Sequence, residues 1–383
     1  MRYREFKLVE SVLYEAEARI QHAEDIVFWE GSRGAIRALN SLKSLEEGGH
    51  NDVTIKWDGS PALIFGRNED GEFVLTDKSG FGASGYDGKA KSAKALQQML
   101  MNRPGASNPD PRKAENYKKF VGNMVDIYDE YEKATPKDFR GFLKGDLLYY
   151  NTPPVVNKNY VFKPNIVEYA VDVDSDLGKR IGQSKTGIVV HRLIDEHGNE
   201  SPVPNGLQMQ GTEVLILPSV TVEKAASIED ESINQLKADV AKNAGAIDRL
   251  LDKAAITKLK ISDFAKILYT YTNSKVDTGL EDLGDDFFNW MSRSKLSANK
   301  QKNIADHINN NKAGFNAIWQ IVTGIMRIKD DIIRQFDSHG QTVKATIPGH
   351  GEGGEGYVLA HPKGDIKLVP REYFTRANRA VER

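Results

Sequence analysis

Lysine becomes a nucleophile only when it loses its proton, and with a pKa of about 10.4 only about one free lysine in a thousand is neutral near pH 7. Lys56 stands in the tetrapeptide Lys56-Trp57-Asp58-Gly59, between two strand-like runs. Burial or a neighbouring cation there would lower its pKa and make the amine reactive; the plain alternative is a surface lysine beside a turn. Two more clusters carry charge into apolar strands: Phe142-Leu143-Lys144-Gly145-Asp146-Leu147, and Glu355-Gly356-Tyr357-Val358 followed by Lys367 in DIKLVP. Each alone is an ordinary strand with one charged residue. Together, a lysine, two carboxylates and a second lysine are the parts that metal-assisted attack on a triphosphate needs. Carboxylates such as Asp146 and Glu355 hold Mg²⁺ (or Mn²⁺) through oxygen. The metal and the second lysine stabilise phosphate charge while the first lysine attacks.

These residues need strands to position them. From Val53 the pattern is strand-like: VTIKW, ALIFG, the turn-rich RNEDGE with Asp70-Gly71, and FVLTDK. Strand-like runs return at FLKGDLLYY, IVEYAV, TGIVVHRL and TEVLILPSV, and again at TVKATI and GYVLAHPKGDIKLVP. The stretch from Lys89 to Lys119, with Pro104, Pro109 and Pro111, reads as a loop in its middle, and NYKKFVGNMVDIYDEYEKA as a helix. Residues 5–47 have helical spacing at Leu8, Val9, Val12, Leu13 and Ala16 and again at Ile36, Leu39 and Leu42, with Gly48-Gly49 as the stop. Helical spacing also runs through Ile233, Leu236, Val240, Ile247, Leu250 and Leu251, and through Phe315, Ile318, Trp319, Val322, Ile325, Met326 and Ile333. The expected class is α+β: an N-terminal helical segment 1–49, a β-rich core of 50–221 plus 341–383, and a helical insertion 222–340.

Composition sets outer limits. The 383 residues hold 52 Lys+Arg against 54 Asp+Glu, a net charge of −2, and no cysteine. The length predicts two or three domains. Absence of cysteine removes thiol nucleophiles, disulfides and Cys-ligated zinc. Charge balance removes a globally basic polyanion binder but leaves room for a local basic groove. No apolar run approaches the length of a membrane span, and the N-terminus lacks a signal peptide's uninterrupted apolar core. The expectation is a soluble cytoplasmic protein without a membrane partner. HGEGGEG, near the C-terminus, is no P-loop, for it lacks the G-K-[ST] ending.

Taken in order, the motifs resemble those of the covalent nucleotidyltransferase superfamily, which comprises ATP-dependent DNA ligases, RNA ligases and mRNA-capping guanylyltransferases. KWDG is similar to motif I (K-x-D-G), FLKGDLLY to motif III, EGYV to motif IV and IKLV to motif V. The segment Thr76-Asp77-Lys78-Ser79-Gly80 looks like the one whose basic residue, here Lys78, contacts nucleotide or phosphate. The layout also resembles a group of bacteriophage-encoded ligase-like proteins, which would place it in host cytoplasm. The resemblance implies an antiparallel-sheet nucleotidyltransferase (ATP-grasp-like ligase) core and leaves the helical insertion unexplained.

What the resemblance implies chemically follows residue by residue. Lys56 would attack the α-phosphate of ATP and form lysyl–AMP, releasing pyrophosphate. Asp58 and Gly59 would shape the turn, with Asp58 near the ribose or metal. Asp146 and Glu355 would bind Mg²⁺ and the nucleotide sugar. Lys367 would neutralise the α-phosphate and depress the pKa of Lys56. His191, in GIVVHRL, is the candidate for covering the adenine, a buried structural histidine being the other reading. AMP would pass to a 5′-phosphate end and a 3′-hydroxyl would displace it.

Three departures stand out. Pro61 occupies the position where DNA ligases and capping enzymes have arginine, which leans the substrate towards RNA over nicked DNA. Val369 stands where motif V has its second lysine, with Lys363 or Arg371 as substitutes. With Arg383 soon after motif V, no C-terminal OB domain is expected, and the helical insertion would hold nucleic acid instead. Two basic stretches could do so: Lys89–Lys119 (Lys89, Lys91, Lys94, Arg103, Arg112, Lys113, Lys118, Lys119) and Arg293–Lys312 (Arg293, Lys295, Lys300, Lys302, Lys312). Solvated charged faces are the alternative for each. A polynucleotide ligase leads; a GTP-dependent capping guanylyltransferase and a degenerate nucleotide- or nucleic-acid-binding module are the alternatives. An NAD-dependent ligase would need a cysteine zinc site that this chain lacks.

Overall fold

The structure, a computed structural model, describes residues 21–46, 48–84, 90–195, 199–203, 207–276, 279–280, 282–339, 342–349 and 351–372. Helical spacing expected from Leu8 to Ala16, and Lys89 of the first basic stretch, lie outside these residues. The described strands are β1 (Gln21–His22), β2 (Val53–Ile55), β3 (Ala62–Arg67), β4 (Phe73–Asp77), β5 (Gly141–Tyr149), β6 (Val155–Val156), β7 (Asn159–Phe162), β8 (Glu168–Asp172), β9 (Thr186–Ile194), β10 (Glu200–Pro202), β11 (Val214–Ile216), β12 (Val343–Ile347), β13 (Gly351–Glu352), β14 (Tyr357–Leu359) and β15 (Ile366–Leu368). The α-helices are α1 (Ile26–Lys43), α2 (Lys78–Ser84), α3 (Ala93–Met101), α4 (Pro111–Asp126), α5 (Tyr128–Ala134), α6 (Asp176–Gln183), α7 (Asp230–Leu250), α8 (Lys253–Lys258), α9 (Phe264–Ser274), α10 (Phe287–Ser292), α11 (Ala298–Asn310) and α12 (Lys312–Ser338).

The fold is α+β, and its chain divides into two compact units: Met1–Lys56, Val220–Gln341 and Glu355–Arg383 form the first, Trp57–Ser219 and Thr342–Gly354 the second. This division cuts across the expected boundaries. The helices of 222–340 share a unit with α1, β2 and the C-terminal strands, because their apolar faces need those elements as cover.

In the first unit the sheet order is β1-β15-β14-β2, antiparallel except for the parallel β1–β15 pair. Helix α12 buries Phe315, Ile318, Trp319, Val322, Ile325, Met326, Ile333 and Phe336 along one stripe, the pattern its spacing predicts. Trp319 meets Phe28 of α1 edge-on at 5.6 Å, and Phe336 meets Tyr357 of β14 at 5.2 Å. Helix α12 lies so close to α7 that a Cβ at Gly314 would stand 2.2 Å from the Ala246 carbonyl oxygen. Within the stretch read as helices, Gln21–His22 is strand, and Gly31, at φ 63°, breaks α1. Asp248 of α7 fills the break, accepting from Ser32 N and Oγ at 2.8 Å each.

Under this unit's core lies a charged cluster. Glu24, Asp25, Lys329 and Arg371 are each no more than 1 % exposed. Lys329 Nζ is 2.9 Å and Arg371 Nε 3.2 Å from Glu24 Oε1, and Arg371 also pairs with Asp25. Buried charges persist only when paired in this way.

The second unit holds two sheets. One has the order β10-β9-β5-β3-β4 with β11 parallel to β9; the other runs β13-β12-β8-β7-β6. Helices α3 to α5 cover the first sheet through Leu96, Leu100, Met124, Tyr128 and Tyr131, with Phe65–Tyr131 and Phe73–Tyr128 edge contacts at 4.7 and 5.2 Å. The middle of 89–119, expected as loop, runs through a turn, a 3₁₀ segment and bends between α3 and α4. Pro104 opens the 3₁₀ segment and Pro111 holds the first position of α4, where the missing N–H costs nothing. The β6–β7 hairpin was not evident in the sequence pattern. Its turn residues Asn157 and Lys158 have φ of 48° and 62°, the two left-handed positions that a tight hairpin requires.

Candidate functional site

Strand β2 sets Lys56. Val53 and Ile55 are buried and Thr54 and Lys56 half-buried, so period-two alternation puts Lys56 on the opposite face from the core residues. The ladder with β14 pairs Ile55 with Tyr357 and continues through Lys56 N–H to the Gly356 carbonyl at 2.9 Å. That lateral placement brings Glu355 beside Lys56, Nζ to Oε1 at 2.5 Å, with the two side chains 23 % and 15 % exposed. Gly356 allows the strands to close up: its φ is 123°, and a Cβ there would lie 2.3 Å from the Leu368 carbonyl oxygen.

Lys367 joins the same face by register. It pairs with Val358 on β14, which in turn pairs with Thr54 on β2. Burial, then the neighbouring Lys56 cation, holds the Lys367 ammonium below the usual lysine range, against the opposing pull of Glu355. On its other side Lys367 pairs with His22 of β1. The His22 side chain is 16 % exposed and its Nδ1 has no hydrogen-bond partner. Burial, followed by Arg371, Lys329, Lys367 and Lys56, holds it well below the ordinary histidine value. Sequence reasoning missed His22. It lies in a stretch with helical spacing, and nothing local announces a two-residue strand.

The chain passes from one unit to the other between Lys56 and Trp57. In the second unit Asp58 is held by donors of residues 165–167. It is buried, and Oδ2 accepts from Ile166 N at 2.7 Å and Val167 N at 3.0 Å, while Oδ1 accepts from Asn165 Nδ2 at 2.9 Å. Its own N–H donates to Tyr169 Oη at 2.6 Å. Three donors satisfy the buried carboxylate, so Asp58 fastens the turn to residues 165–167.

Gly59 behaves as a shaping residue. A Cβ there would stand 2.6 Å from Asp146 Cβ. Ser60 N–H donates to Leu147 O and Leu147 N–H to Pro61 O, at 2.8 and 3.0 Å, which lays this turn along β5. On the neighbouring strand His191 Nε2 lies 2.9 Å from Asp146 Oδ2, the side chains being 45 % and 31 % exposed. Exposure removes the buried structural reading of His191. Lys78 is exposed at the start of α2, while Asp77 before it takes a bidentate pair from Arg103 at 2.7 and 2.8 Å.

Of the two proposed substitutes for the missing motif V lysine, Arg371 is near enough for its charge to act on Lys367. Arg371 is locked in the buried cluster, and Lys363 is exposed at the β14–β15 turn; Val369 itself is 5 % exposed. Among the basic stretches, Lys94, Arg112, Lys113, Lys118 and Lys119 are exposed on α3 and α4. Lys91 pairs with Glu72, Lys300 with Asp263 and Lys302 with Asp306, which reduces the free charge. No three His, Cys, Asp or Glu side chains form a metal cage among the described residues. Asp146 and Glu355 offer oxygen donors, the type Mg²⁺ takes one or two at a time together with phosphate and water.

The structure thus brings Lys56, Glu355 and Lys367 together in the first unit and Gly59, Asp146 and His191 together in the second, in an α+β protein. The chain belongs to the family of unknown function DUF6267, which it matches over residues 17–86 and 113–383. Comparison with curated proteins and with solved structures returned no match. No helix among the described residues is long and apolar enough to cross a membrane.

Proposed function

We propose that this protein is an ATP-dependent polynucleotide ligase acting through a covalent lysyl–AMP intermediate, with RNA favoured over nicked DNA on the strength of Pro61. One observation carries the reading: Lys56 Nζ lies 2.5 Å from Glu355 Oε1 on the sheet face that also bears Lys367. In this reading the antiparallel sheets supply the adenylation core, and exposed lysines and arginines of α3, α4 and Arg293–Lys312 contact the nucleic-acid backbone, making binding salt-dependent.

Glu355 takes a proton from the Lys56 ammonium. The freed Nζ forms an N–P bond with the α-phosphate of ATP, the bond to the β-phosphate oxygen breaks, and pyrophosphate leaves. Lys367 balances the negative charge that builds on the α-phosphate oxygens. Glu355, and in the second unit Asp146, each offer a carboxylate of the kind that holds Mg²⁺, which would supply phosphate-charge neutralisation when bound. A 5′-phosphate oxygen then displaces Lys56 from AMP, and a 3′-hydroxyl displaces AMP from that end.

Incubation with α-labelled ATP and Mg²⁺ should label the chain, and Lys56→Ala should abolish the label. A chase with 5′-phosphorylated RNA or nicked DNA identifies the acceptor, and preferential labelling by GTP would select the capping reaction. Absence of any adduct with every nucleoside triphosphate overturns the reading. A nucleotide-binding module without turnover is the second reading. Buried Val369 and the pairing of Arg371 with Glu24 and Asp25 favour it, because the Arg371 charge is already taken up.

A further inference from the structure

A cleft of about 700 Å³ opens in the first unit, walled by α1, the end of α7, the start of α8 and the β14–β15 turn. Its volume is that of a small-molecule site. Each of its four carboxylates has a partner. Glu30 takes the Arg37 guanidinium, with Nε at 3.0 Å. Asp248 binds Ser32, Asp252 caps α8 at Ala255 N (2.7 Å), and Asp365 accepts from His361 N at 3.3 Å.

The cations are less committed. Arg33 and Lys363 are exposed and have no ion-pair partner among the described residues. Arg37 is only 11 % exposed, yet its Nη1 is buried with no hydrogen-bond partner. Gln21 Oε1, also on the wall, is likewise buried and unpartnered. Two orphaned polar atoms in the wall of one cleft are unusual for a folded chain. Burial, followed by Arg37 and Lys363, holds nearby His361 below its ordinary value in spite of Glu30 and Asp365. Half-buried Trp29 completes the wall, braced edge-on by Phe28 and Tyr269 at 6.2 and 5.9 Å, and offers a surface on which a base can stack.

We propose that this cleft is a second binding site, for a nucleoside monophosphate whose phosphate is held by Arg33, Arg37 and Lys363 and whose base lies against Trp29. It is separate from the Lys56 residues and does not depend on the ligase reading. The test is calorimetric titration of the full-length Lys56→Ala chain with AMP and with inorganic phosphate, with and without Arg33→Gln/Lys363→Gln. Both substituted side chains are exposed, so the double variant should fold. AMP should bind at least tenfold more tightly than phosphate, and the double variant should weaken AMP by at least tenfold. In the chain with Lys56 intact, the same double variant should leave labelling by α-labelled ATP unchanged. AMP affinity that is undetectable or indifferent to the double variant, or phosphate binding as tight as AMP, overturns the proposal. Failure of labelling in the parent chain, with AMP binding still sensitive to Arg33 and Lys363, sinks the ligase reading alone.

Discussion

Lys56 and Glu355 come from opposite ends of the sequence, and the β2–β14 ladder closes them to 2.5 Å, Nζ to Oε1. A carboxylate so placed can both hold the ammonium and accept its proton. Removing the charge with Glu355→Gln should slow adduct formation by about 10²-fold, the low end for a positioned base, with the circular-dichroism spectrum unchanged. Labelling at the wild-type rate would remove Glu355 from the chemistry.

Asp58 is expected to act on stability. Asp58→Ala strands the Ile166 and Val167 amides and Asn165 Nδ2. Leaving buried donors unsatisfied should destabilise the protein by about 2–4 kcal/mol. Thermal unfolding of the variant reads this directly. An unchanged melting temperature with lost labelling would place Asp58 on the nucleotide after all.

Gly356 should tolerate no side chain. With φ at 123° and only 2.3 Å between an added Cβ and Leu368 O, Gly356→Ala must part β14 from β15. The expected cost is at least about 2 kcal/mol from backbone strain and lost ladder bonds. Labelling should fall as well, since Glu355 and Lys367 are set by those strands. Hydrogen exchange at Leu359 and Leu368 tests this, and native protection there would refute it.

Asp330 gives a pH signature. Burial pushes its carboxyl up to about 6, opposed by Lys329. A folded value above the unfolded one means its stabilising effect is full below about pH 4 and is lost as pH rises through 6. Asp330→Asn should therefore melt higher than the parent at pH 7–8, and the gap should close towards pH 4. A melting-temperature difference that stays constant from pH 4 to 8 would show that Asp330 ionises as it does in the unfolded chain.

Much of the local structure was legible. Alternating burial along VTIK and the apolar stripe of α12 follow from side-chain periodicity alone, because a strand or helix must hide one face. The helix from Asn116 was legible in its spacing, while α3 and the first turn of α4 were missed because the prolines beside them look like breakers. His22 was missed because its strand is two residues long and exists only by pairing with β15.

By itself the sequence determined which residues could do chemistry: Lys56, Asp146, Glu355 and Lys367, each set in an apolar strand whose spacing fixes the face it occupies. Only the tertiary structure decided their company. Strand pairing put Glu355 and Lys367 on the Lys56 face, and burial tied Asp58 to backbone amides. Burial likewise enclosed Arg371 with Asp25 and Glu24, where an unpaired charge would not survive. Pairing between distant segments is set by summed packing and register, which no local run of residues records.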